Sequence, residues 1–95
     1  MTDLELLEKV KKGLGVSGTY QDETLRLYIE EVKDFLKEAG VTQATIDGSE
    51  SVGVITRGVA DLWNYGSGNA NLSPYFMQRA AQLAYKVEDG KGVSE

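Results

Sequence analysis

The segment from about Asp22 to Ala39 repeats apolar side chains at the spacing of an α-helix. At about 100° per residue, one arc of about 120° holds Leu25, Tyr28, Ile29, Val32, Phe35, Leu36 and Ala39. The opposite side carries Arg26, Glu30, Glu31, Lys33, Asp34, Lys37 and Glu38. Gly40 follows where a left-handed C-terminal cap belongs. Other elements must cover this apolar face, so the segment predicts a helix packed within a helical domain.

Three further helices complete the prediction of an all-α fold, a small bundle of about four helices. The first extends from about Asp3 to Leu14, where Thr2 and Glu5 match a capping box. The third extends from Glu50 or Ser51 to about Tyr65. The fourth begins at Ser73-Pro74, a favourable N-cap with proline in the first turn, and continues to about Val87.

The remaining segments predict loops and a tail. VTQATIDGSES predicts a connector with a turn at Asp47-Gly48, and a long loop precedes the last helix. Residues 1–87 then form a single helical domain, and residues 88–95 a flexible C-terminal tail. Gly58 interrupts the third helix, either as a tolerated weak point or because another backbone packs closely there.

Composition excludes several classes of site. The 95 residues include no cysteine and no histidine, which removes thiolate nucleophiles, imidazole bases and the usual zinc ligands. No apolar run approaches the roughly 20 residues of a membrane helix, and the N-terminus lacks a secretory pattern. An enzyme would have to use carboxylates, lysines or tyrosines, a third hypothesis for which no motif gives a credible active site, so we expect no enzymatic activity, no cofactor and no metal. We also expect a cytoplasmically made protein with no membrane partner. The carboxylates of the second helix predict a solvated face: Glu30, Glu31, Asp34 and Glu38.

The net charge of −5 is unevenly distributed. Residues 1–50 hold 11 acidic and 6 basic side chains, giving −5, whereas residues 51–95 hold 4 of each. A DNA-binding protein needs clustered lysine and arginine to neutralise phosphates, and this chain lacks that pattern. A small helical regulatory or DNA-binding module is therefore the alternative rather than the leading hypothesis.

The span from Ser51 to Tyr85 contains only three charged residues, Arg57, Asp61 and Arg79. In the fourth helix the polar side chains occupy an arc of only about 100°, which leaves roughly twice the apolar arc that a surface helix needs. Either this helix is a central strut covered on several sides, or one of its sides contacts a neighbouring subunit. Both explanations can hold in part.

The loop before the last helix lies within the stretch NYGSGNANLSPYF, between two pairs of aromatic residues. Long loops in compact domains are often functional, and aromatic side chains supply contact area at low entropic cost. The alternative is a solvated loop whose aromatics only fasten the helix ends. With the exposed leucine of the second helix, the candidate partner or subunit interface comprises Leu27, Arg57, Trp63, Tyr65, Tyr75, Phe76, Met77 and Arg79.

Two long stretches resemble the small head–tail connector proteins of tailed bacteriophages, which are also called DNA-packaging proteins. They are LLEKVKKGLGVSGTYQDETLRLYIEEVKDFLKEAGV and GVITRGVADLWNYGSGNANLSPYFMQRAAQLAY, and together they span about residues 4–85. The order of motifs carries the resemblance: TYQDETL before the amphipathic helix, RGVADLWNYG within the next, and LSPYF at the start of the last.

The resemblance implies an all-helical, non-enzymatic subunit of a homo-oligomeric ring beneath the portal. Its partners would be other copies of itself, the phage portal protein and a tail-side head-completion or stopper protein. Genomic DNA would contact it only in passage, without sequence specificity. The implied location is the head–tail junction of the virion, after assembly in the host cytoplasm.

Overall fold

Five α-helices form along the residues that the structure describes, with bounds α1 (Asp3–Leu14), α2 (Asp22–Glu38), α3 (Gln43–Asp47), α4 (Val52–Tyr65) and α5 (Pro74–Val93). The structure is a computed structural model that describes the backbone of residues 1–93 and the side chains of residues 1–85. Helices make up 78% of the chain, and no strand occurs in residues 1–93. The prediction of a small all-α bundle with a long loop before the last helix is confirmed.

Local sequence signals fix the helix ends. Thr2 Oγ1 accepts the Glu5 backbone N–H at 3.1 Å, and Glu5 Oε1 accepts the Thr2 N–H at 2.9 Å, which confirms the capping box. Gly40 adopts a φ of 99°, and the next N–H, that of Val41, donates to the carbonyl of Leu36 at 2.9 Å. The left-handed cap predicted after the second helix is therefore confirmed.

Ion pairs orient α1 against α2. Lys33 Nζ lies 3.5 Å from Asp3 Oδ1, and Lys11 Nζ lies 2.7 Å from Asp22 Oδ1. The start of α1 thus meets the later part of α2 and its end meets the start of α2, so the two helices are antiparallel. The Lys11 ammonium also donates to the carbonyl of Gly18, and its buried position was not predicted from the sequence.

Helix α4 occupies the centre of the bundle and contacts α1, α2 and α5. Its late residue Asp61 bonds to Ser73 just before α5, whereas its early residue Val54 lies beside Leu83 in the third turn of α5. These contacts make α4 and α5 antiparallel. The buried apolar core draws on all five helices and on two loop residues: Leu6, Leu7, Val10, Leu25, Ile29, Val32, Leu36, Val41, Ile46, Val54, Ile55, Val59, Leu62, Leu72, Phe76, Ala80 and Leu83.

Gly58 is the point of closest approach of α4 to its neighbours. A Cβ atom there would lie 2.7 Å from Phe76 Cε1 and 2.9 Å from Val32 Cγ2. The close packing anticipated at this glycine therefore comes from two side chains and not from another backbone.

The connector between α2 and α4 is more ordered than predicted. Thr42 caps α3 by accepting the Thr45 N–H at 3.3 Å, and a 3₁₀ turn follows at Ser49–Ser51. The buried Ser51 hydroxyl donates to the carbonyl of Ile46 at 2.6 Å. A helix of five residues is too short for hydrophobic periodicity to reveal, which explains why the prediction of a plain connector was wrong.

Helix α5 continues to Val93, past the end predicted near Val87. Residues 94 and 95 lie outside the described residues, as do the side chains beyond Tyr85. The flexible tail stays a prediction.

Candidate interaction surface

Two carboxylates from other helices hold the long loop, residues 66–73, against the bundle. Glu31 Oε2 on α2 accepts the backbone N–H of Gly68 at 2.6 Å. Asp61 Oδ2 on α4 accepts the backbone N–H of Ser73 at 3.0 Å. The loop itself carries no charge, so the charged acceptors for its backbone come from outside it. Charge-assisted bonds of this kind are stronger than those between neutral groups.

The loop is also bonded within itself. Asn71 Nδ2 donates to the carbonyl of Gly66 at 3.0 Å and to that of Ser67 at 3.3 Å, across a 3₁₀ turn at Asn69–Asn71. Gly66 and Gly68 adopt φ values of 96° and 120°, which only glycine tolerates readily. Glycine and asparagine in this loop therefore give it one defined shape.

Helix α5 begins where the sequence predicted. Ser73 Oγ accepts the Phe76 N–H at 3.1 Å, the geometry of an N-cap serine. The buried Asp61 carboxylate, only 3% exposed, lies at the same helix start, where the helix dipole favours negative charge. Asp61 therefore joins α4, the loop and α5 at one point.

Two arginines and a tyrosine share a surface of α4 and α5, here called the arginine–tyrosine face: Arg57, Tyr75 and Arg79. The Arg57 guanidinium carbon lies 5.1 Å from the centroid of the Tyr75 ring, and Arg57 Nε lies 3.5 Å from Asp61 Oδ1. Arg79 follows Tyr75 by one helical turn, so it projects from the same side of α5. The structure thus brings together three of the predicted interface residues.

Two more predicted interface residues are exposed, Tyr65 and Leu27. Tyr65 ends α4 immediately before the loop and is 70% exposed. Leu27 is 69% exposed and precedes the loop-bonding Glu31 by one turn of α2. The Leu27 side chain therefore projects from the same side of α2 as Glu31.

Phe76, predicted to lie in the packed or the interfacial part of the protein, belongs to the core of the single chain. Its side chain is fully buried, and its ring centroid lies 5.5 Å from that of Phe35 in a tilted arrangement. Trp63 and Met77 are half-buried and pack against the core cluster. The three residues support the bundle from within or at its margin, because α5 lies against both α2 and α4.

In the charge-poor span, residues 51–85, the large apolar side chains that stay exposed after folding are aromatic. Its large aliphatic side chains are buried within one molecule: Val54, Ile55, Val59, Leu62, Leu72 and Leu83. The large apolar side chains that stay exposed among residues 51–85 are Tyr65, Tyr75 and Tyr85. One side of α5 is therefore covered within the molecule, and contact of its exposed tyrosines with a neighbouring subunit stays a prediction.

Sequence reasoning missed two functional candidates, Glu31 and Asp61, and also the exposure of Tyr20. Glu31 was assigned to the solvated face of α2, yet it is half-buried and bonded to the loop. Asp61 was noted only as a rare charge, although a single carboxylate in an apolar span is itself a signal of a buried anchor. Tyr20, 93% exposed in the loop before α2, gave no signal, because a tyrosine among glycines does not predict burial or exposure.

Within residues 1–85, whose side chains the structure describes, no three metal-ligating side chains come together. None of the described helices combines the length and apolar character needed to cross a membrane.

No protein-family model matches this chain, and no curated protein or solved structure matches it either.

Proposed function

We propose that this protein is a structural head–tail adaptor of a tailed bacteriophage. In this proposal it forms a homo-oligomeric ring under the portal, joins the head to the tail and lets DNA pass. The observation that carries the proposal is a surface of exposed tyrosines on a part of the chain that has almost no charge. The resemblance of residues 4–85 to head–tail connectors supplies the biological setting.

The charge-poor surface has the character of a protein–protein contact. Residues 62–78 contain no charged side chain, and Tyr65 and Tyr75 stand exposed on either side of the loop. Interface centres are depleted in charge and enriched in tyrosine and arginine, and such residues carry much of the binding energy. The hydrogen-bonded loop supports binding because a preorganised surface loses little conformational entropy on association.

The charge balance supports a pore that DNA traverses without binding. The chain carries −5 overall, and its exposed arginines on α4 and α5 are only Arg57 and Arg79 among the described side chains. Phosphates bind to clustered cations, so an acidic ring lowers the affinity for passing DNA. The portal protein on the head side and a stopper protein on the tail side are the proposed neighbours.

Sedimentation velocity and electron microscopy test the proposal, first on the protein alone and then with assembled portal rings. We expect rings, either free at high concentration or seated on the portal. Tyr75→Ser should weaken assembly, whereas Tyr20→Ser, which changes a still more exposed tyrosine in the loop before α2, should leave it unchanged. Absence of any oligomer or portal-bound density under all these conditions would contradict the adaptor function.

An electrophoretic shift at low salt separates the adaptor from a DNA-binding module. The adaptor should leave duplex DNA unshifted. Salt-sensitive binding to a short duplex would instead favour the DNA-binding alternative, because counterion release makes such binding fall steeply with salt.

A further inference from the structure

An acidic face with an apolar centre covers the outer side of α2. When each residue turns the helix by about 100°, five exposed side chains fall within an arc of about 80°, with Leu27 among four carboxylates. They are Glu23, Leu27, Glu30, Asp34 and Glu38. Lys33 pairs with Asp3 of α1 at 3.5 Å and Arg26 lines the same depression, whereas the exposed Lys37 borders the arc beside Glu30. This set is here called the acidic face.

The arginine–tyrosine face carries the opposite charge. Tyr75, Arg79 and Gln82 follow one another at intervals of four and three residues, so they form one stripe along α5. Arg57 Nε pairs with the buried Asp61 carboxylate at 3.5 Å, so the positive charge available on this face comes mainly from Arg79. Arg79 Nη1 lies 3.4 Å from Gln82 Oε1, and Glu50 lines the same shallow depression at the edge of the stripe.

Within one molecule the two faces cannot meet. Helix α5 contacts α2 through Phe76, which packs on Phe35, and through Ala84, whose Cβ lies 4.0 Å from the position of a Cβ on Gly40. Ala84 and Tyr75 project about 180° apart on α5 at 100° per residue. The arginine–tyrosine face therefore points toward α4, away from the acidic face.

We propose that the arginine–tyrosine face of one copy docks on the acidic face of the next copy. A two-fold contact through either face would oppose arginine to arginine or carboxylate to carboxylate, which complementary interfaces avoid. A head-to-tail contact pairs the opposite charges and places Leu27 against Tyr75. Such a contact propagates from copy to copy and closes into a ring when the rotation per subunit allows it. The pairing of the two faces is argued from the structure, and only its closure into a ring rests on the proposed function.

Single cysteines test the pairing directly, because the chain has none of its own. Leu27→Cys and Gln82→Cys place one thiol on each face, and Lys9→Cys on the exposed side of α1 is the matched control. With a short bismaleimide at a concentration where the protein self-associates, or on the portal, mixing the first two variants should give cross-linked dimers. Each variant alone should give none, and a chain carrying both should give a ladder of covalent oligomers.

Charge exchange provides a second readout. Arg79→Glu alone and Asp34→Lys alone should each raise the dissociation constant for self-association by about tenfold or more. Because both side chains are exposed, the variants should stay folded by circular dichroism. The chain that carries both changes should recover assembly, since every head-to-tail contact again pairs opposite charges.

The outcomes separate the pairing from the adaptor function. Oligomers that cross-link Gln82→Cys to itself, or that persist unweakened in each single charge-reversal variant, would overturn the proposed pairing and leave the adaptor function standing. The same holds for oligomers in which Leu27→Cys and Gln82→Cys never link. A chain that never associates, alone or on the portal, would overturn both.

Discussion

Gly58→Ala should destabilise the protein even though alanine is the better helix former. The substitution adds one methyl group at the contact of α4 with α2 and α5. Two buried side-chain atoms stand in its way, Phe76 Cε1 at 2.7 Å and Val32 Cγ2 at 2.9 Å. Both residues are fully buried, so neither can swing into solvent to make room.

Two opposing effects set the magnitude. Alanine in place of glycine within a helix stabilises by up to about 1 kcal/mol. Overpacking a close-packed core costs about 1–3 kcal/mol, because neighbours must leave their preferred rotamers or the helices must separate. The net loss in the free energy of unfolding is then about 0–2 kcal/mol.

Gly53→Ala is the matched control in the same helix. No atom lies within 4 Å of a Cβ at Gly53, which is exposed, so this variant gains helix propensity without a clash. The difference between the two variants removes most of the propensity effect and leaves the overpacking cost, about 1–3 kcal/mol. In a domain of this size, each kcal/mol of lost stability lowers Tm by roughly 4–8 °C.

Urea denaturation followed by circular dichroism at 222 nm measures both variants against the parent. Equal slopes of the transitions would show that the compared states expose similar surface. If Gly58→Ala proves as stabilising as Gly53→Ala, the packing of α5 into the groove at Gly58 is looser than described, and the reasoning fails.

Three further variants or conditions probe other contacts. Phe76→Ala should lower the free energy of unfolding by about 3–5 kcal/mol, measured by urea denaturation, because it empties a fully buried ring site; a loss of assembly at unchanged Tm would instead contradict the core position. Asp61→Asn should cost about 1–3 kcal/mol and accelerate amide hydrogen exchange at Ser73, whose N–H the carboxylate accepts; unchanged exchange would show that this bond does not hold the loop. The hydrogen bond from the Thr2 backbone N–H, and to a smaller extent that with the Thr2 hydroxyl, holds the pKa of the Glu5 carboxyl below its usual value. The stability they add is therefore present above the unfolded-state pKa and is lost as pH falls through the lowered one, and an NMR titration of the Glu5 carboxyl should show a midpoint below that of a free glutamate.

The positions of the long helices could be predicted because their signals are local. The start of α1 follows from the Thr2 capping box, and the end of α2 from Gly40. The covered face of α2 follows from the period of its apolar residues, which also predicted that Leu27 would be exposed. Helix α3 was not predicted, because its five residues make little more than one turn, too few to show a hydrophobic period.

The candidate surface could be predicted only in part. Periodicity gives the direction of a side chain around its own helix, but not how many neighbours surround that helix. Phe76 was therefore predicted to lie in the packed or the interfacial part, whereas α5 lies in a groove between α2 and α4 and buries it in the core. The grouping of Arg57 with Tyr75 depends on contact between two helices and has no signature in sequence spacing.

By itself, the sequence determined an all-helical fold, the starts of α1 and α5, the end of α2 and the uneven distribution of charge, because these depend on residue type and on neighbours within a few positions. Only the tertiary structure decided which apolar residues stay in solvent and which carboxylates hold the loop. Glu31 reaches Gly68 across 37 positions of the sequence, and such a bond exists only once the helices have packed.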